Sequence, residues 1–183
     1  MEEVDNPAGY TFKKVTVNGV DNGSSIVEGT LTVDDNHDST DLVYTNEYGA
    51  SPITVDPTNL ELGGTKEIIG RNFENGDNFT FVLRGADNAP MPDGVDAGQD
   101  AVITLSTDNG GLTTGEAEAS FKFTGNIQYD HPGTYQYYLV ERNPYNNNET
   151  PISGINYDST RYRLDVIVRS CDDGNLQESH KWV

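Results

Sequence analysis

The stretch "GTYQYYLVER", residues 133–142, decides the fold class. Tyr135, Tyr137 and Leu139 recur at every second position, a period of two that suits a strand with one buried face and not a helix. The same alternation returns in "FKKVTVNG" (12–19), "GTLTVDD" (29–35), "DLVYTNEY" (41–48), "LGGTKEIIG" (62–70) and "NFTFVLRG" (78–85). It continues in "AVITLST" (101–107), "ASFKFTGNIQYD" (119–130) and "RYRLDVIVRS" (161–170). Between these runs lie Asn, Asp, Gly and Pro clusters such as "DNAPMPDG" and "NPYNNNETP", which are turn chemistry. Many short strands at this spacing specify an all-β protein, an antiparallel Ig-like β-sandwich.

Composition removes several classes of function. Thirty acidic residues face eleven basic ones, a formal charge of −19, so nucleic acid would be repelled. The acid is spread through turns rather than held in a tail, which suits a solvated surface. No apolar run is long enough to span a membrane. The single cysteine, Cys171, has no internal partner, and its acidic neighbours do not activate a thiol. His37, His131 and His180 share no metal-ligand spacing, so neither a metal nor another cofactor is expected. The turn "DDNHDSTD" (34–41) lacks the glycine and final glutamate of a calcium loop. No signal peptide opens at Met1, so a secreted protein would be an excerpt of a longer chain.

Three polar residues sit where alternation places core residues. Lys66 shares a side with Leu60, Leu62 and Ile68, Glu141 follows Tyr135, Tyr137 and Leu139, and Asn46 follows Leu42 and Tyr44. Each alone is explained by a snorkelling stem, a strand end or a bulge. Together an amine, a carboxyl and an amide suggest amide exchange. A lysine amine attacks the asparagine side-chain carbonyl, ammonia leaves, and an isopeptide bond remains. The attack needs a neutral amine, and apolar surroundings disfavour charged amines and carboxylates alike. A neutral carboxylic acid can then polarise the amide and shuttle the proton.

The ordered blocks "TKEIIGRNFENGDNFTFVL", "FTGNIQYDHPGTYQYYLVE" and "ISGINYDSTRYRLDVIV" resemble the streptococcal-pilin isopeptide linkage domain, a Cna B-type repeat of Gram-positive surface and pilus proteins. The resemblance covers roughly residues 58–176. It implies a secreted, cell-surface structural repeat, anchored in the cell wall through parts outside this chain, with neighbouring repeats as partners. It assigns the bond-forming amine to Lys66 and the catalytic acid to Glu141. Members end in a strand of the type F-T-N-x-Y, and none follows residue 170 here; "VYTNEY" (43–48) is similar to it instead. Residues 1–50 are thus expected to be the last strands of a preceding repeat, or permuted strands of the main domain. Residues 51–59 are expected to be a connector, and 60–183 a sandwich without its own last strand. Asn46 would pair with its own repeat's lysine, with Lys66 by permuted closure, or with Lys66 of another molecule. A cross-link closing a loop of order 100 residues stabilises by ~4–5 kcal/mol in the chain-entropy model. Such self-cross-linking is single-turnover, so no enzyme is expected.

The alternative is an adhesin-type module that binds a host surface ligand through its long loops, 87–100 and 143–151, without forming a bond.

Overall fold

A computed structural model of the chain describes residues 10–23, 41–147, 149–171 and 173–183. The strand expected at 29–35 and the acidic turn 34–41, except Asp41, lie outside the described residues. The chain divides into two compact units, one of Met1–Pro52 with Ser170–Gln177, the other of Ile53–Arg169 with Glu178–Val183.

In the first unit, strands β1 (Tyr10–Val17), β2 (Val20–Asp21) and β3 (Leu42–Tyr48) form an antiparallel sheet in the order β2-β1-β3. The β1–β2 turn is tight because Asn18 and Gly19 both take positive φ, the left-handed conformation that favours these residue types. A bulge between Phe12 and Lys14 shifts the β1–β3 register, and Asn46 lies opposite Phe12.

The second unit is an antiparallel sandwich. One layer is a five-stranded sheet in the order β12-β11-β10-β6-β7, with β6 (Asn78–Gly85), β7 (Asp100–Ser106), β10 (Gly133–Glu141), β11 (Arg161–Ser170) and β12 (Leu176–Trp182). Against it lie two ribbons, β4 (Ile53–Val55) with β9 (Ile127–Tyr129), and β5 (Gly63–Glu67) with β8 (Glu118–Lys122). Alternation in β10 and β6 turns Tyr137, Leu139, Phe79, Phe81 and Leu83 inward, and all five are buried. Across the layers Phe81 stacks on Phe121 at 3.9 Å between ring centroids. The buried Tyr129 and Tyr137 hydroxyls lie 3.0 Å apart, and the Tyr137 hydroxyl donates to the Pro90 carbonyl at 2.6 Å. Both phenols are thereby partnered, and burial pushes both up from their ordinary range.

Four details differ from the expectations. The stretch 51–59 carries β4, a three-residue strand too short to show alternation. Residues 119–130 form two strands, not one. Gly125, at φ +90°, breaks the run, and a Cβ there would lie 3.0 Å from Asp93 backbone atoms. Beyond residue 170 the chain makes β12, a sheet-edge strand largely polar on both sides, which conceals its period. The loop 87–100 is not a free platform, because Ala89 and Met91 are buried and Pro90 holds Tyr137.

One buried charge ties the turn before β6. The Asp77 carboxylate accepts both ends of the Arg71 guanidinium, at 2.7 and 2.9 Å, and the Glu74 backbone N–H at 2.9 Å. Chiefly the guanidinium, with that N–H, holds the carboxyl below its usual range. Its stabilisation is therefore complete above the unfolded value of ~3.9 and is lost as pH falls through the lower folded value. In acid-unfolding curves, Asp77→Asn should flatten the fall in stability below pH ~4 while costing about 2–3 kcal/mol at neutral pH. An unchanged acid limb would show that the pair contributes nothing.

Candidate functional site

Lys66 is carried by β5, a ribbon strand whose placement depends on its glycines. A Cβ on Gly63 would overlap the Phe121 carbonyl oxygen and come within 3.0 Å of the Lys122 Cα, so only glycine lets β5 pair this closely with β8. Gly63→Ala should lower stability by about 1–3 kcal/mol by pushing β5 away. A melting temperature equal to wild type would show that the ribbon yields freely.

From β5 the Lys66 side chain turns inward, only 11% exposed. Its Nζ lies 4.5 Å above the centroid of the Phe79 ring, an attractive position for a cation. Phe79 is fixed in turn by Phe73 and Tyr157, each with its ring centroid 6.1 Å away. Glu141, the last residue of β10, points at the same place with its side chain 4% exposed. Its Oε1 lies 2.8 Å from Lys66 Nζ. That contact is an ion pair without hydrogen-bond alignment, and among the described residues Oε1 meets no other donor. Its Oε2 accepts the Asp158 backbone N–H at 2.9 Å. Asp158 itself is held by the Thr160 hydroxyl and N–H, at 2.6 and 2.8 Å, which keep its carboxyl low.

Two of the three expected site residues thus come together, from opposite layers of one sandwich. Asn46 belongs to the first unit, half-buried in β3 and paired across to Phe12 on β1. Sequence inspection missed Asp158, whose Asp-Ser-Thr run signals a turn but not the carboxylate its N–H reaches. It also missed Phe79 as the seat of the amine.

Beside the pair runs a groove of about 610 Å³, bordered by Gly64, Lys66, Phe121, Leu139, Glu141 and Trp182. The β5 strand pairs with β8 alone among the described residues, so its other edge opens on this side. Apolar walls, a paired amine and acid, and a free strand edge can accept an extended chain and place an amide beside the amine.

The fold and site define an all-β antiparallel sandwich with an amine and an acid buried together between its layers. More specifically, the family model FctA, described as a Spy0128-like isopeptide containing domain, matches residues 62–182, and the chain belongs to that family. The match runs from β5 through β12 and covers about two thirds of the chain. A search among curated proteins found no match.

Proposed function

We propose that the chain is a structural repeat of an extracellular Gram-positive surface or pilus protein, stiffened by a Lys–Asn isopeptide bond made at Lys66 with help from Glu141. The observation that carries this is the buried 2.8 Å approach of Lys66 Nζ to Glu141 Oε1 above Phe79. A proton passed from Nζ to Oε1 across that gap frees the amine's lone pair for attack and leaves Glu141 a neutral acid. The free amine then attacks the side-chain carbonyl carbon of an asparagine on a strand laid along β5. Glu141, held by Asp158, hydrogen-bonds the amide from Oε1, gives its proton to the departing nitrogen and takes up the one that the attacking nitrogen loses. One C–N bond forms, one breaks, and ammonia leaves. Asn46, on a strand of the matching type, supplies the amide, with neighbouring repeats of the protein as its partners. Residues 1–50 then donate to another molecule or close this domain; where they instead close a preceding repeat, Asn46 bonds that repeat's lysine and another strand of the protein supplies the amide to Lys66. A bond between first and last strands carries pulling force directly, and an amide, unlike a disulfide, is not reducible.

Intact mass of the denatured protein tests this. A monomer one ammonia lighter supports closure within the chain, and heat-stable ladders losing one ammonia per link support donation between molecules. An unaltered mass that persists when a peptide containing "VYTNEYG" is supplied in excess would refute reaction at Lys66.

A further inference from the structure

A second cavity lies over the outward face of the five-stranded sheet and shares Glu141 and Asp158 with the amine site. It measures about 400 Å³ and gathers Arg84, Arg142 and Arg161, half of the arginines in a chain of net charge −19. Strand register explains the grouping. Arg84 lies opposite Tyr138, and Arg161 opposite Val140, so both project from the side that Tyr138 and Val140 face. Arg142 continues β10 into the turn Pro144–Asn146, which walls the cavity.

The three guanidiniums are not equivalent. Arg84 forks onto Asp100 at 2.8 and 2.6 Å, and Arg142 meets Glu149 at 3.3 Å. The central guanidinium carbon of Arg161 lies over Tyr138, 3.5 Å from the ring centroid, and Arg161 forms no ion pair among the described residues. Contact with the ring holds this exposed guanidinium in place, and its N–H donors, engaged by no carboxylate among the described residues, suit one carboxylate. Neutral polar groups surround it. Asn143 caps the turn by accepting the Tyr145 N–H, and Asn147 donates to the Asn143 carbonyl. This holds exposed Asn146 at the cavity, with Ser159 also lining it, and neither side chain is hydrogen-bonded among the described residues.

We infer that this cavity binds a sugar acid, a hydroxyl-rich ligand with one carboxylate, which sits on Arg161 while Asn146 and Ser159 take its hydroxyls. Charge selects against the other anions. Asp100 neutralises Arg84 and Glu149 neutralises Arg142, which leaves Arg161 to hold one carboxylate, while Asp100 and Asp158 on the lining repel more highly charged anions. A phosphate dianion or a run of acidic side chains would meet those carboxylates. The volume falls within the usual range of small-ligand sites, roughly 300–1,000 Å³.

Titrating the full chain with glucuronic acid, with a glucuronate-terminated disaccharide, and with glucose tests the inference. Amide NMR shifts should saturate with both acids, stay within 138–147 and 158–161, and be missing with glucose. Tighter binding of the disaccharide would identify a glycan end as the source, and equal binding the free acid. Arg161→Lys, which keeps the charge but loses the planar fork, should weaken binding about tenfold. Asn146→Ala, on the exposed turn, should weaken it severalfold and carries the test if the first variant melts early. No saturable shift, equal binding of glucose, an unaffected Asn146→Ala, or tighter binding of an acidic peptide would each overturn the assignment.

Discussion

Replacing Glu141 with alanine should destabilise the sandwich by about 3–5 kcal/mol, because it strands the Lys66 ammonium in an apolar site without its partner. Lys66 keeps only the Phe79 face, 4.5 Å away. The Asp158 N–H loses its acceptor in the same step. The cost should come from the unpaired charge, not from the pair's own strength. The double variant Lys66→Met with Glu141→Leu should therefore recover wild-type stability or exceed it by about 1–4 kcal/mol. Urea unfolding of molecules that retain the ammonia would measure both variants. A loss below about 1 kcal/mol in the single variant would mean that water reaches the amine, against its 11% exposure. In the proposed reaction the same substitution also removes the proton carrier, so ammonia loss should stop.

Phe79→Ala should cost about 3–5 kcal/mol, the range for deleting a fully buried ring. Phe79 is 1% exposed and fills the space between Phe73, Tyr157 and the amine. Its removal opens a path for water to the Lys66 ammonium, which should slow any bond formation even where the fold survives. Phe79→Leu, which fills most of the volume, should lose less stability. Timed mass spectrometry beside thermal melting separates the effects. Bond formation at the wild-type rate in Phe79→Ala would show that the ring serves packing alone.

Much of this was legible in the chain because strand alternation is a rigid rule wherever one face is buried. Parity alone put Lys66 with Leu62 and Ile68, and Glu141 with Tyr137 and Leu139, and those four apolar residues are buried. The rule fails where a strand has no single wet side. The edge strand β12 reads "LQESHKW", with Leu176 buried at one end and polar side chains on both faces. Strand β4 has only three residues. The grip of Asp158 on Glu141 was illegible for a different reason, since a backbone N–H carries no side-chain signature. The Arg161–Tyr138 contact needs the β10–β11 register, which local pattern does not supply.

The open edge of β5 also bears on what the chain avoids. A strand with unpaired backbone groups invites any passing strand to add to it, which is how sheets begin to aggregate. Here that edge is five residues long, opens with two glycines, and turns a charged lysine toward its own interior. A strand offering only a greasy side chain at that position would have to bury the ammonium against it. One carrying an amide there can meet both the amine and Glu141. In the proposed reaction the lysine that makes the bond thus also guards the edge, admitting an amide-bearing strand and discouraging the sticky ones.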